Sequence, residues 1–511
     1  MFRDSEEEEQ VAQKRPNMIL SALLCCTVTM TPALAQSATP TTPPSSGAQG
    51  TATSPTLDAA RAALNAKQYT QARALFESLV AARYDDPEAH FGLGLTLYAL
   101  GDLPGARFEF QQLIKLAPER YEGYFNLGVV AARAGNHDEA LANYNKALEL
   151  ATGKAPEAAV RQVLDAITAE QERRRDYAGL VNTLTAMLKL TPTDERVRLQ
   201  LATAIYRAGN GPDALPLAYA VLQADSQNAD AAILVADIYA AQQLPERAIR
   251  ELDKAIGAAT VNAAKARLLL RKAELQRVQN RARDAVETLR QAVTLDPGNA
   301  RVYALLGDAL TARADRNGAL AAWRNAVRLD PGNAVYRATL AATELALGQY
   351  DAARANANRA ARDTDDPATL ARVQLVMGVA AYRQGKYAEA RTTLQSAALK
   401  SPTAETYLWL GLSAYALGDY AGAVTALEAS VKASPTVTAR VNLGAALLQA
   451  GRYQEAEATL RGVVKDNPRN AEAWYHLGWS LRSQGGRESE ARQAFRTSLN
   501  LGYTKARGAL Q

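Results

Sequence analysis

The chain has almost no cysteine: two among 511 residues, adjacent at Cys25 and Cys26. That excludes a disulfide framework and a thiolate metal site. Once the N-terminal segment is removed it excludes a cysteine nucleophile as well. Histidine is almost as scarce. His90, His137 and His476 lie far apart, so no shared histidine metal centre is expected. The phosphate-cradling glycine loop, the Gly-x-Ser-x-Gly elbow, the His-Glu-x-x-His helix and the calcium loop are all missing. Carboxylate pairs are plentiful, but at helical spacing they read as solvated faces rather than acid–base dyads. The expectation is a protein that is not an enzyme, with no catalytic residue, no metal and no cofactor.

Long apolar runs are lacking too. The longest, residues 18–30, is too short to span a bilayer. Lys14 and Arg15 precede it and Ala33-Leu34-Ala35 follows it, so residues 1–35 read as a secretory signal peptide cleaved after Ala35. Cleavage would leave no stable membrane span, and the mature chain is expected to be exported, periplasmic or associated with the cell envelope. Asp4 and Glu6-Glu7-Glu8-Glu9 put negative charge ahead of this basic start, which predicts that translation begins at Val11. Losing residues 1–35 removes three positive and five negative side chains and raises the formal net charge from +5 to +7. The basic residues are interspersed with acids, so nucleic acid is not an expected partner. Residues 36–56 are Thr, Ser, Pro, Gly, Ala and Gln without periodicity and read as a disordered linker.

What is present is a period. Asp296-Pro297-Gly298-Asn299-Ala300 recurs unchanged at Asp330-Pro331-Gly332-Asn333-Ala334, and in degraded form at Asn467-Pro468-Arg469-Asn470-Ala471. A fixed step of 34 residues marks a helical repeat array. Small residues twelve apart carry the same period, among them Gly94/Ala106, Gly128/Ala140, Ala236/Ala248, Gly307/Ala319, Gly411/Ala423 and Gly444/Ala456; the last pair, Gly478/Ala491, has one extra residue. Each unit reads as two antiparallel helices that cross at these small residues. Leu93, Leu127, Leu306, Met377, Leu410, Leu443 and Leu477 fill the core before the first small residue. Phe76, Phe110, Tyr144, Trp323, Leu394 and Phe495 stand one turn beyond the second. Glycine as in Ala-Leu-Gly-Asp at 99–102 suits a left-handed turn between helices, and prolines such as Pro118, Pro192 and Pro402 end the second helix. His90 and His476 fall on first helices and His137 in a turn, where surface or groove packing is expected of them.

With Tyr124…Leu127-Gly128…Ala140…Tyr144…Ala147 and Trp474…Leu477-Gly478…Ala491…Phe495, the chain resembles the tetratricopeptide repeat family over about residues 57–500. The resemblance implies an all-α fold, a right-handed α-α superhelix (solenoid) of about thirteen repeats, with residues 501–511 as a C-terminal cap or tail. The array is expected to be irregular around 150–220. Residues 152–156 form an insertion, Leu180 stands where Ala is expected, and Pro216 should kink a second helix. The run from Glu170 through Gln171 to Asp176 reads as a solvated face.

The resemblance also implies that first helices line a concave, ligand-binding groove. Its expected lining is Phe91, Leu95 and Tyr98, then Phe125, Val129 and Arg133. Towards the other end come Leu375, Val379, Tyr382 and Arg383, then Leu408, Leu412 and Tyr415, then Tyr475, Trp479 and Arg482. Between them the lining is charged: Tyr206, Arg207, Asp237, Arg267, Arg271, Glu274, Arg277, Arg301 and Asp308. Tyr outnumbers Phe by 21 to 7, as suits a surface needing contact area and a polar tip. The family's carboxylate clamp is absent, because Asn126 and Asn442 lack an accompanying Lys. The expected function is a protein–protein interaction scaffold of the cell envelope with protein partners. The alternative is a polysaccharide export or assembly component whose groove contacts an acidic glycan or its synthesis and export machinery.

Overall fold

The structure, a computed structural model, describes residues 56–511. The expected signal peptide, the Val11 start and the linker up to residue 55 lie outside the described residues. Among the described residues there are 27 helices and no strand: twenty-six in succession, twelve pairs of which pack as antiparallel hairpins, then one short helix. This is the all-α repeat solenoid that the period implied, with the expected number of repeats.

The chain divides into two compact units, the second beginning at Ala218. In the first unit Leu57–Asn65 pairs with Tyr69–Ala82, Pro87–Leu100 with Leu103–Leu116, Tyr121–Arg133 with His137–Ala151, and Glu157–Arg174 with Tyr177–Leu190; Glu195–Arg207 precedes Gly211–Ala224, the helix that holds the boundary. The second unit continues with Ala229–Ala241 and Pro245–Ala258, Asn262–Val278 and Ala282–Leu295, Ala300–Ala312 and Arg316–Leu329, and Ala334–Ala346 and Tyr350–Arg362. Its last four pairs are Pro367–Arg383 with Tyr387–Lys400, Ala404–Ala416 with Tyr420–Ala433, Val437–Gln449 with Tyr453–Asp466, and Ala471–Ser483 with Glu488–Asn500; the short helix Ala506–Ala509 ends the chain.

Local chemistry sets these boundaries. In the Asp-Pro-Gly-Asn-Ala turns the asparagine is the N-cap: Asn333 Oδ1 accepts from the Tyr336 amide, and its Nδ2 donates to Asp330. The second helices have a signature of their own, an N-cap aspartate with glycine three residues on. Asp102, Asp176, Asp315 and Asp419 accept from the amides of Gly105, Gly179, Gly318 and Gly422. Each cap satisfies an otherwise orphaned amide and contributes about 1 kcal/mol. Gly101 and Gly135 take the left-handed turn after the first helix, at φ 87° and 83°. In the last repeat, Gly485 and Gly486 both have positive φ and absorb the extra residue.

The two helices of a repeat interlock through size complementarity sixteen residues apart, seventeen in the last repeat. A Cβ placed on Gly94, Gly128, Gly307 or Gly478 would stand 2.6–2.7 Å from the ring of Phe110, Tyr144, Trp323 or Phe495. Those rings are buried. Leu93, Leu127, Leu306, Leu443 and Leu477 are buried as expected, whereas Met377 and Leu410 are only partly covered.

Around residues 150–220 the sequence expectations need correcting. Glu170 and Gln171 do not belong to a solvated face: they are 4% and 7% exposed. Glu170 lies 2.9 Å from His137, and Gln171 accepts a hydrogen bond from Thr183 on the paired helix at 2.8 Å. The same buried pair recurs at Thr288 and Gln276, where Ala285 stands at the crossing, so it is a cross-helix hydrogen bond of the repeat rather than a consequence of Leu180. His137 is the first residue of the helix His137–Ala151 rather than part of a turn. His90 is wholly buried, with Nδ1 2.6 Å from Glu109 and Nε2 2.8 Å from the Tyr84 carbonyl oxygen. The helix Gly211–Ala224 runs through Pro216.

Candidate interaction surface

The first helix of each pair carries the predicted lining, and in the first unit the structure separates surface from core. Phe91, Leu95 and Tyr98 are half-buried on Pro87–Leu100. The Arg120 guanidinium lies 5.4 Å from the Phe91 ring centre, and that of Arg133 lies 4.8 Å from the Tyr98 ring. Arg133 also donates to the Tyr98 carbonyl oxygen at 3.1 Å, tying adjacent first helices together. Phe125 and Val129 do not line the surface. Each is 8% exposed, and Phe125 packs against Tyr144 with ring centres 5.7 Å apart. Burial pushes the Tyr144 hydroxyl's pKa well up. Val379, the residue after Gly378, is buried as Val129 is after Gly128. Tyr206 is half-buried, and Arg207 lies over Tyr177 at 5.8 Å.

In the second unit the charged stretch is an ion-pair ladder. Arg271 Nε donates to Asp237 at 2.6 Å and its Nη1 to Glu274 at 2.9 Å; Glu274 in turn accepts from Arg301 at 2.9 Å. Arg277 reaches Asp308 at 2.8 Å, and Arg267 pairs with Asp230. Each link joins the first helix of one repeat to that of the next or to a neighbouring turn of the same helix. Burial works against the Arg271 charge, but Asp237 and Glu274 outweigh it and raise its pKa. For Asp308 burial wins over the attraction of Arg277 and raises the carboxyl pKa.

Beyond the ladder the surface turns aromatic. Tyr382 on Pro367–Arg383 touches Tyr387 and Trp409, each with ring centres 5.3 Å away. The Arg383 guanidinium lies 5.0 Å from Trp409. On the next first helix, Tyr415 meets Tyr420 edge-on at 5.4 Å. Leu375, Leu408 and Leu412 are half-buried beside them. Trp409 lies outside the lining that the repeat pattern predicts. Its signal was available: an aromatic two residues before the marker Gly411, where other repeats carry Asn126, Asn442 or His476.

At the chain's end the predicted lining is turned to another use. Tyr475 meets Tyr503 at 5.1 Å and Trp479 meets Phe495 at 5.5 Å. Arg482 stacks over Phe495, binds Glu488 at 2.7 Å and donates to the Ala509 carbonyl oxygen at 2.8 Å. Ala506 and Ala509 are buried in the same cluster. Tyr475, Trp479 and Arg482 therefore hold the chain's own C-terminal segment over the last repeat.

Among the described residues no group of His, Cys, Asp and Glu could hold a metal ion, and no helix is long and apolar enough to cross a membrane.

Many solved structures resemble the chain, and three of them serve as examples. One is Naa15/Naa10 bound to HypK-THB, 17% identical, covering 88% of this chain and 76% of that one with a TM-score of 0.41. Another is the APC/C hetero-tetramer Cut9-Hcn1, 14% identical, covering 88% and 94% with a TM-score of 0.39. The third is YrrB, described as a TPR protein with an unusual peptide-binding site, 20% identical, covering 37% and 96% with a TM-score of 0.33. No curated protein matches the sequence. Tetratricopeptide repeat signatures match residues 57–112, 199–263, 270–334, 375–438 and 441–506, and a further one matches 121–153. Together they span more than half of the chain, which thus belongs to the tetratricopeptide repeat family, a scaffold fold for protein interactions.

Proposed function

We propose that the mature chain is exported and serves as a non-catalytic scaffold of the cell envelope, holding segments of partner proteins on the open faces of its first helices. The observation that carries this reading is the aromatic face of the second unit. Tyr382, Trp409 and Tyr415 stay partly exposed although each touches another ring. Such side chains offer large contact area with few rotatable bonds, the property of binding hot spots. Ala33-Leu34-Ala35 after an apolar segment supports export.

The rival reading, contact with an acidic polysaccharide or its export machinery, needs cations free to meet a polyanion. Arg271, Arg277 and Arg301 are engaged with carboxylates, which favours a protein partner.

In-cell cross-linking of the tagged chain, followed by mass spectrometry of the envelope fraction, tests the reading. The expected result is one or two reproducible protein partners that are lost in Trp409→Ala. Retention of polysaccharide without a protein partner would overturn it. N-terminal sequencing of the mature chain tests export: Gln36 should be first, and a cytosolic chain that keeps residues 1–35 would refute it.

A further inference from the structure

We infer that Arg383, stacked on Trp409, is a carboxylate subsite for an extended protein segment bearing Asp or Glu next to an apolar residue. The inference rests on the scaffold reading and specifies its ligand.

Charge complementarity is the first argument. The other arginines predicted along the second unit's first-helix faces are neutralised: Arg267 by Asp230, Arg271 by Asp237 and Glu274, Arg277 by Asp308, Arg301 by Glu274, Arg482 by Glu488. Arg383 is exposed and stacks on the Trp409 ring, and among the described residues no carboxylate pairs with it. A guanidinium lying on an aromatic face is fixed in orientation, while its in-plane N–H fork stays open to a planar carboxylate. Stacking also lowers the entropy lost when a ligand binds.

The surroundings supply the rest of the ligand. Tyr382 sits edge-on to the same Trp409. Leu408, Leu412 and Tyr415 recur at i, i+4 and i+7 along Ala404–Ala416 and so share one face. All three are half-buried and can take apolar side chains on either side of the acid. Burial raises the pKa of the Tyr382 and Tyr415 hydroxyls, so both remain neutral donors at physiological pH.

The test uses the full mature chain and a phage-displayed library of random dodecapeptides. Wild type should enrich peptides with Asp or Glu adjacent to an apolar residue. Against one such peptide, synthesised with a blocked C-terminus, Arg383→Gln should weaken binding roughly ten- to hundredfold, the equivalent of one charge-assisted hydrogen-bond pair. Arg383→Glu should enrich Lys or Arg in place of the acid. Trp409→Ala should abolish both preferences. Arg383 is exposed at a helix end, so the two Arg383 variants should melt as wild type does. Polygalacturonate serves as a second probe.

Enriched peptides without an acid, or acidic peptides indifferent to Arg383→Glu, would overturn the subsite while leaving the scaffold intact. Peptides that need a free C-terminal carboxylate would overturn it as well. Polygalacturonate binding that is lost in Arg383→Gln, with no peptide enriched and no envelope partner cross-linked, would overturn both readings.

Discussion

Gly94 lies directly under the ring of Phe110, so close that a Cβ at position 94 would stand 2.6 Å from Cε1. The two helices of that repeat approach to a distance set by this contact. Gly94→Ala should therefore force the ring or the helices to move, at a cost of about 1–3 kcal/mol from overpacking. Gly462 is the control: also inside a helix, but with only the tip of Arg440 nearby at 3.9 Å. Gly462→Ala should stabilise by about 0.5–1 kcal/mol, because alanine loses less backbone entropy. Urea unfolding midpoints of the two variants should move in opposite directions. Equal shifts would show that the Gly94–Phe110 contact does not limit helix approach.

The turn between helices supplies a second prediction. Five repeats put a non-glycine residue in the left-handed position: Lys67, Arg175, Gln243, Asn280 and Ala314. Ala314 has φ 59° and no polar side chain to offset the strain. Ala314→Gly should raise stability by about 0.5–1 kcal/mol, read as a higher unfolding midpoint or slower amide exchange in Ala300–Ala312 and Arg316–Leu329. An unchanged midpoint would mean that the strain is relieved elsewhere.

These glycines also show what the sequence made legible. Gly94, Gly128 and Gly307 announced the crossing and its period because a close approach to a large ring admits only the smallest residues. Wherever Ala314 or Gln243 fills the turn the signal fades, yet the step of 34 carries the repeat across. The lining was harder to read. A first helix presents several apolar residues per turn, and spacing alone does not say which lie outside. Thus the pattern points Phe125 outward although it packs on Tyr144, and it does not mark Trp409. The pattern leaves Tyr475, Trp479 and Arg482 open because the cap that covers them, at 503–510, has no repeat pattern of its own.

Acid should loosen the C-terminal repeats first. Burial pushes the Glu457 carboxyl up, but hydrogen bonds from Gln484, Arg461 and Arg487 prevail and hold its pKa down at about 2. A depressed carboxyl pKa stabilises the fold above the unfolded value of about 4.5. That stabilisation is lost as pH falls from there towards 2. Glu457→Gln should flatten the pH dependence of stability between about pH 4.5 and 2 and leave the region above pH 6 with a constant offset. Amide exchange in Tyr453–Asp466, followed against pH, would check this; an unaltered acid limb would remove Glu457 from the account.

The ion-pair ladder gives the last prediction. Arg271 stands between Asp237 and Glu274, about a third exposed, with a hydrogen bond to each. Exposed pairs contribute little, but this network is partly buried and joins successive repeats. Arg271→Met should leave two carboxylates facing each other and cost about 1–2 kcal/mol. Adding Asp237→Asn should recover part of the loss, giving a coupling of about 1 kcal/mol in a double-mutant cycle. High salt should shrink that coupling, since ions screen the exposed side of the pair. If the cycle closes to zero, the ladder is a crystal-like ordering of surface charges without energetic weight, and Arg271 would be as free as Arg383 to meet a polyanion. A coupling near the expected size would instead leave Arg383 as the cation through which this face selects its partner.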